Sequence, residues 1–240
     1  QRGMGVDWCT AKELIERTMA EAKAHPLKPQ VACGAGTDQA AAEELRTEDA
    51  IVAAYSAQME AIEAAGGQVI LMASRAMAAL NGDPEVYARV YDRLISQASG
   101  PVILHWLGDM FDPALTGYWG AKDLDAAADS VLSIIGTHAA RIDGIKISLL
   151  EQSREEAFRT RLPGDVRLYT GDDFNYAALI EGDGTRYSHA LLGIFAAIAP
   201  AAAQALEALA EGDTVTYHAL LEPTVPLSRE IFKAPTQFYK

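Results

Sequence analysis

Along this chain, short apolar runs alternate with longer stretches in which apolar positions return every three or four residues. The short runs are QVAC at 30–33, QVILM at 68–72, PVILH at 101–105, DGIKISLL at 143–150 and VRLYT at 166–170. Short, β-branched and bounded by Gly, Pro or polar clusters, they read as buried strands. The longer stretches at 10–24, 47–65, 84–98 and 124–141 carry the helical period. Thr10 with Glu13 three residues later is a capping-box signature for the first helix, which Pro26 and Pro29 end. Ile51, Tyr55, Met59 and Ile62 mark the apolar stripe of the second, and Gly66-Gly67 stops it. Pro84 opens the third. Further on, the pattern predicts helices at 174–180, 201–209 and from 216. Residues 187–198 read as a strand end running into a helix, and 223–240 as a loop-and-helix tail.

Strands alternating with helices at this spacing imply βα units and parallel strands. Polar residues at successive strand ends (Ser74, His105, Lys146 and Asp172) match the carboxyl-terminal face of a (β/α)8 TIM barrel, with a doubly wound open sheet as the alternative. Only about six strands are counted, so the expectation is a barrel lacking its first two strands in this chain. Neither Gln1 nor Lys240 resembles a natural end, which points to a fragment. The expected organisation is one barrel domain over 1–240, with 201–240 as its C-terminal helical extension.

Lys146 is the residue that needs a reason. Alternation puts Ile145, Ile147 and Leu149 on one face of its strand and Gly144, Lys146 and Ser148 on the other. Burying an unpaired ammonium is costly, so such a lysine either forms a buried ion pair or is a neutral amine that attacks carbonyls. The walls around it disfavour the ammonium form.

Composition narrows the partners. A net charge of −13 argues against nucleic acid and anionic membrane, while leaving room for a local anion pocket. Cys9 and Cys33 form neither a CxxC pair nor a disulfide framework. With no signal-peptide pattern and no apolar run near ~20 residues, the expectation is a soluble cytoplasmic protein.

Other residues have two readings each. Gly34-Ala35-Gly36 is a phosphate cradle or a tight turn at a strand end. His105 is a general acid/base or a core histidine. Asp172 and Asp173 bind substrate hydroxyls, tune Lys146 or cap the helix at 174–180. Ser188 and His189 line the site or belong to the scaffold, and Tyr118 and Trp119 form a lid or a packing cluster. His105, Asp109, Asp112 and Asp172/Asp173 contain ligands enough for a divalent metal, so a metal-dependent aldolase or isomerase barrel is the alternative. A non-catalytic metabolite-binding barrel is the third reading.

Gly144-Ile145-Lys146 resembles the G-x-K of the sixth strand in the dihydrodipicolinate synthase and N-acetylneuraminate lyase superfamily, class I aldolase barrels with a Schiff-base lysine. Cys33-Gly34-Ala35-Gly36, Gly171-Asp172-Asp173, Gly212-Asp213 and the closing Pro235-Thr236 stretch fall in the family's order. The runs ILHWLGDMFDP, DGIKISLL, LYTGDDFNY and SHALLGIFAAIAP resemble an uncharacterised branch of unknown function. The resemblance implies a lyase, aldolase or hydratase acting on a small 2-oxo acid or related carbonyl. It also implies a covalent imine on Lys146 with no other cofactor, and a homo-oligomer. His105 stands where relatives carry a proton-relay tyrosine, with Tyr118 as the nearby alternative. The relatives' carboxylate-binding hydroxyl pair falls near Gln1–Gly5, where Arg2 is the candidate anion ligand. Ser74, Asp172, Asp173 and Ser188 complete the substrate-binding candidates.

Overall fold

A computed structural model describes residues 6–41, 43–80 and 82–234. They form two compact units: the described residues up to 145 with 162–166, and residues 146–161 with those from 167 onward.

The first unit opens with α1 (Trp8–Ala24). Its cap is Asp7, whose side chain accepts from the Thr10 amide at 2.7 Å, so the helix starts two residues before the expected boundary. A carboxylate at 7 reaches the amide three residues on, which leaves Thr10 inside the first turn. Then follow β1 (Ala32–Ala35), α2 (Glu48–Ala65), β2 (Gln68–Leu71), a short α3 (Arg75–Ala79), α4 (Pro84–Gln97), β3 (Val102–Leu107) and α5 (Leu124–His138). Thr47 caps α2, and Ile51, Tyr55, Met59 and Ile62 are all buried, as the stripe requires. β1 pairs parallel with β2, Cys33 opposite Val69, and β2 with β3, Ile70 opposite Ile103. Within this unit the neighbours run β1-β2-β3 and on to the first part of β4 (Ile142–Ser148).

The polar, aromatic segment after β3 is part of the core, not a lid. It folds as two 3-10 turns, Pro113–Leu115 and Tyr118–Gly120. Tyr118 and Trp119 are buried against Tyr87 and Tyr91 of α4, with ring centroids 4.7–5.8 Å apart. Trp119 takes the left-handed conformation (φ 69°), unfavourable for a side chain of its size, and this burial compensates for it. The next residue must be glycine: Gly120 has φ 85°, and a Cβ there would lie 2.6 Å from the Asp83 carbonyl carbon.

The second unit contains the last three residues of β4, then α6 (Gln152–Arg161), β5 (Arg167–Thr170), α7 (Tyr176–Glu181), β6 (His189–Ala190) and four helices: α8 (Ile194–Ala197), α9 (Ala199–Ala210), α10 (Thr214–Leu221) and α11 (Val225–Ile231). Its strand order is β4-β5-β6, and β5 pairs parallel with β6, Tyr169 opposite His189. Tyr176, Ile194, Ala205, Tyr217 and Leu221 form its core, and the Tyr217 hydroxyl donates to the Ala177 carbonyl at 2.8 Å. The six strands among the described residues alternate with helices as expected. No helix among those residues is long and apolar enough to cross a membrane.

Gly120→Ala should destabilise the protein by at least about 2 kcal/mol, because the new methyl meets backbone atoms that cannot step aside. Urea unfolding followed by tryptophan fluorescence measures this. A midpoint unchanged from wild type would show that the aromatic turn is not part of the core.

Candidate active site

β4 carries the alternation expected of it. Ile145, Ile147 and Leu149 are 0–3 % exposed. On the other face, Gly144 and Ser148 are buried and Lys146 is half-buried. The exit of β5 is held tightly against this face: the Gly171 amide donates to the Ile147 carbonyl at 2.7 Å. The side chain of Lys146 passes so close that a Cβ on Gly171 would lie 2.7 Å from its Cε.

The acids beside it serve the backbone. Asp172 Oδ1 accepts from the amides of Phe174 and Asn175 at 2.8 and 2.9 Å, and Oδ2 accepts from Asn175 Nδ2 at 2.7 Å. Asp173 Oδ1 accepts from the Ile194 amide at 2.7 Å, and the Asp173 carbonyl accepts from the Ser228 hydroxyl. Both carboxylates are at most 4 % exposed. Amide donors explain how two adjacent acids are tolerated there. Asp172 therefore closes the turn that leads into α7 and does not cap the helix itself, whose N-cap Asn175 carries no side-chain cap bond, and a substrate hydroxyl at either acid competes with bonds the fold already makes.

Ser188 is committed in the same way. Its hydroxyl donates to Glu155 Oε1 at 2.8 Å and accepts from Arg159 Nη1 at 3.2 Å. Thr170 Oγ1, at the end of β5, donates to Glu155 Oε2 at 3.1 Å and accepts from the Asp172 amide at 3.2 Å. Arg159 Nη1 also donates to the Leu179 carbonyl at 3.1 Å. Glu155 is 3 % exposed, and burial pushes its carboxyl up to about 7 against the pull of the Ser188 and Thr170 hydroxyls. This buried acid, joining α6 to the end of β5 and the start of β6, was not singled out by the sequence. Its only signal is the Glu155/Arg159 spacing of one helical turn, inside a run that looks fully solvated. His189 is half-buried, with its ring beside those of Tyr169 and Tyr187.

In the first unit, His105 is buried in the middle of β3. Ser74 caps α3, accepting from the Met77 amide at 3.2 Å, and shares a 2.7 Å hydrogen bond with Thr37. The Ser74 amide donates to the Tyr118 hydroxyl at 3.2 Å, which also bonds the Tyr91 hydroxyl at 2.9 Å. Burial holds the Tyr118 phenol well above its ordinary pKa, so it is protonated at neutral pH. Gly34 lies within β1, opposite Ile70, and the Gly36 amide just after the strand donates to buried Gln58 Oε1 at 2.8 Å, so the expected glycine turn is part strand and part pinned exit and not an open phosphate cradle. Asp112 pairs with Arg75, and Asp109 accepts from the Thr116 hydroxyl at 3.2 Å. Among the described residues, no three His, Cys, Asp or Glu side chains are grouped to hold a metal ion. Arg2 lies outside the described residues.

Residues 1–240 match the family described as "Protein of unknown function (DUF993)". The chain belongs to this family. No curated protein matches this DUF993 chain. Solved structures share its fold. The dihydrodipicolinate synthase of Thermotoga maritima is 14 % identical with a TM-score of 0.69, over 98 % of this chain and 70 % of its own. The enzyme from Aquifex aeolicus is 12 % identical with a TM-score of 0.68, over 98 % and 69 %. YagE from E. coli K12, a prophage protein of the dihydrodipicolinic acid synthase family solved in complex with pyruvate, is 12 % identical with a TM-score of 0.70, over 95 % and 67 %. The six-stranded parallel arrangement with its helices is thus that of the dihydrodipicolinate synthase barrels, in a DUF993 chain spanning roughly two thirds of their length.

Glu155 leads to a prediction about stability. Its folded pKa lies above the ordinary 4.5, so between pH 4.5 and about 7 the unfolded chain releases this proton while the folded one keeps it. Stability should therefore fall by about 3 kcal/mol across that window from this group alone. Glu155→Gln, which mimics the neutral acid, should flatten the decline. Denaturant midpoints at pH 5, 6, 7 and 8 decide it: parallel pH profiles for variant and wild type would remove Glu155 as the source.

Proposed function

We propose that this chain is a Schiff-base-forming lyase or aldolase of the class I type, acting on a small 2-oxo acid or related carbonyl compound. Lys146 is the nucleophile. The observation that supports this best is the setting of Lys146: mid-strand on β4, its other face sealed, its side chain laid over Gly171, in a fold shared with dihydrodipicolinate synthases. The pyruvate bound by YagE supplies the substrate class.

The neutral Nζ adds to the carbonyl carbon, and the carbinolamine hydroxyl takes a proton from the general acid and leaves as water, giving a protonated imine. The imine accepts the electron pair of the bond broken beside the former carbonyl, giving an enamine. The enamine takes a proton at carbon, and hydrolysis returns the lysine and the carbonyl product. Condensation runs the same steps in reverse. Proton transfer is assigned to His105, with Tyr118 as the alternative. A phenol held protonated by burial serves as a donor and not as a base. Asp172, Asp173, Ser188 and Ser74 act by holding the strand ends and helix starts in place.

Borohydride added with a panel of 2-oxo acids should leave a reduced adduct on the peptide carrying Lys146, read by mass spectrometry, and none in Lys146→Ala. If no 2-oxo acid or aldehyde gives an adduct on the folded protein, the mechanism is wrong. His105→Asn should leave trapping intact and lower turnover by about 10²-fold or more. A variant with undiminished turnover would transfer the proton step to Tyr118, and Tyr118→Phe would then show the loss.

A further inference from the structure

We propose that Gly171 is a positioning residue for Lys146, and that its missing side chain is the space through which the lysine reaches the reacting carbonyl. The catalytic consequence rests on the Schiff-base reading above; the steric argument does not.

Three observations meet at this residue, all inside the second unit. A Cβ built on Gly171 would fall 2.7 Å from Lys146 Cε, 2.1 Å from Ser148 Oγ and 2.9 Å from the Ile147 carbonyl oxygen. All three belong to consecutive residues of β4, and two of them are the polar side chains of the face opposite Ile147. Backbone conformation is not the reason for glycine here, because Gly171 is absent from the left-handed positions of the chain. The reason is contact.

Nor can the strand retreat to make room. The Gly171 amide is bonded to Ile147 at 2.7 Å, and the carbonyl of the preceding Thr170 accepts from the Leu191 amide at 3.2 Å. Immediately after it, Asp172 is fixed by bonds to Phe174 and Asn175. The backbone at 171 is thus pinned on both sides and forms a rigid floor under the lysine stem. A methyl on that floor has to displace the most movable thing it meets, the far end of Lys146. Displacing a nucleophile by about 1 Å is enough to cost on the order of 10²-fold in rate.

Gly171→Ala alone is ambiguous, because the clash with Ser148 is the tighter one and can unfold the protein by itself. The test therefore uses the Ser148→Gly protein as its background and compares Gly171→Ala with and without Lys146→Ala. Gly171→Ala is expected to shift the urea midpoint at most half as far when Lys146→Ala is also present, since the obstructing side chain is gone. Where the lysine is retained and the protein folds, borohydride trapping at Lys146 should slow at least 10-fold. Reductive methylation of Lys146 by formaldehyde, followed on the same peptide, should change at least 3-fold.

Equal midpoint shifts with and without the lysine overturn the proposal, as does a variant that unfolds in both backgrounds. So does a folded variant whose Lys146 is trapped and methylated at the background rate. Should no 2-oxo acid react even with the wild type, the Schiff-base reading fails, while the midpoint comparison and the methylation rate still decide the role of Gly171.

Discussion

The structure turns on how one strand accommodates a lysine. β4 buries Ile145, Ile147 and Leu149 on one face, which fixes its register, because a slip of one residue would put Lys146 in their place. Lys146 is therefore held to the other face, and the neighbouring strand exit must yield space to it. It does so by presenting glycine at 171, bonded through its amide to the carbonyl between Lys146 and Ser148. The stretch that follows, Asp172-Asp173-Phe174, inherits its position from that bond.

Buried acids are the second theme, and they are satisfied by different donors. Asp172 and Asp173 both accept from backbone amides. Glu155 has hydroxyls in place of amides, with Arg159 nearby and the charge of Asp172 opposing it. Hydroxyls are weaker partners for a charge than amides are, so burial prevails and the carboxyl titrates near neutrality. Each acid fastens a connection: Asp172 the turn into α7, Asp173 the start of α8, and Glu155 the meeting of α6 with the end of β5 and the start of β6.

Much of this was legible in the residue pattern, for reasons that differ by element. β4 could be read because alternation along a strand is the direct imprint of burial, and α2 because its apolar stripe and its Gly66-Gly67 stop agree. The helix α6 could not be read. Its run of charged side chains looks solvated, and only tertiary contacts with Ser188 and Thr170 put Glu155 and Arg159 inside. The strand-end polar residues were visible as a set, but not the roles of Ser74, Asp172 and Ser188 as caps and ties. A hydroxyl or carboxylate at a strand end satisfies a helix start and a ligand by the same chemistry. Tyr118 and Trp119 were ambiguous for a related reason: glycine-flanked aromatics suit a mobile loop and a buried turn alike, and packing against Tyr87 and Tyr91 decides for the turn.

The central claim is that the Lys146 amine bonds covalently to the carbonyl carbon of a 2-oxo acid. Oxygen exchange measures this most directly, because imine formation expels the carbonyl oxygen and hydrolysis replaces it with one from solvent. A 2-oxo acid labelled with ¹⁸O at its carbonyl should lose the label to water faster with the wild-type protein than in buffer alone. With Lys146→Arg the loss should return to the spontaneous rate. Equal rates with and without protein for every 2-oxo acid tried, or equal acceleration by wild type and variant, would contradict the account.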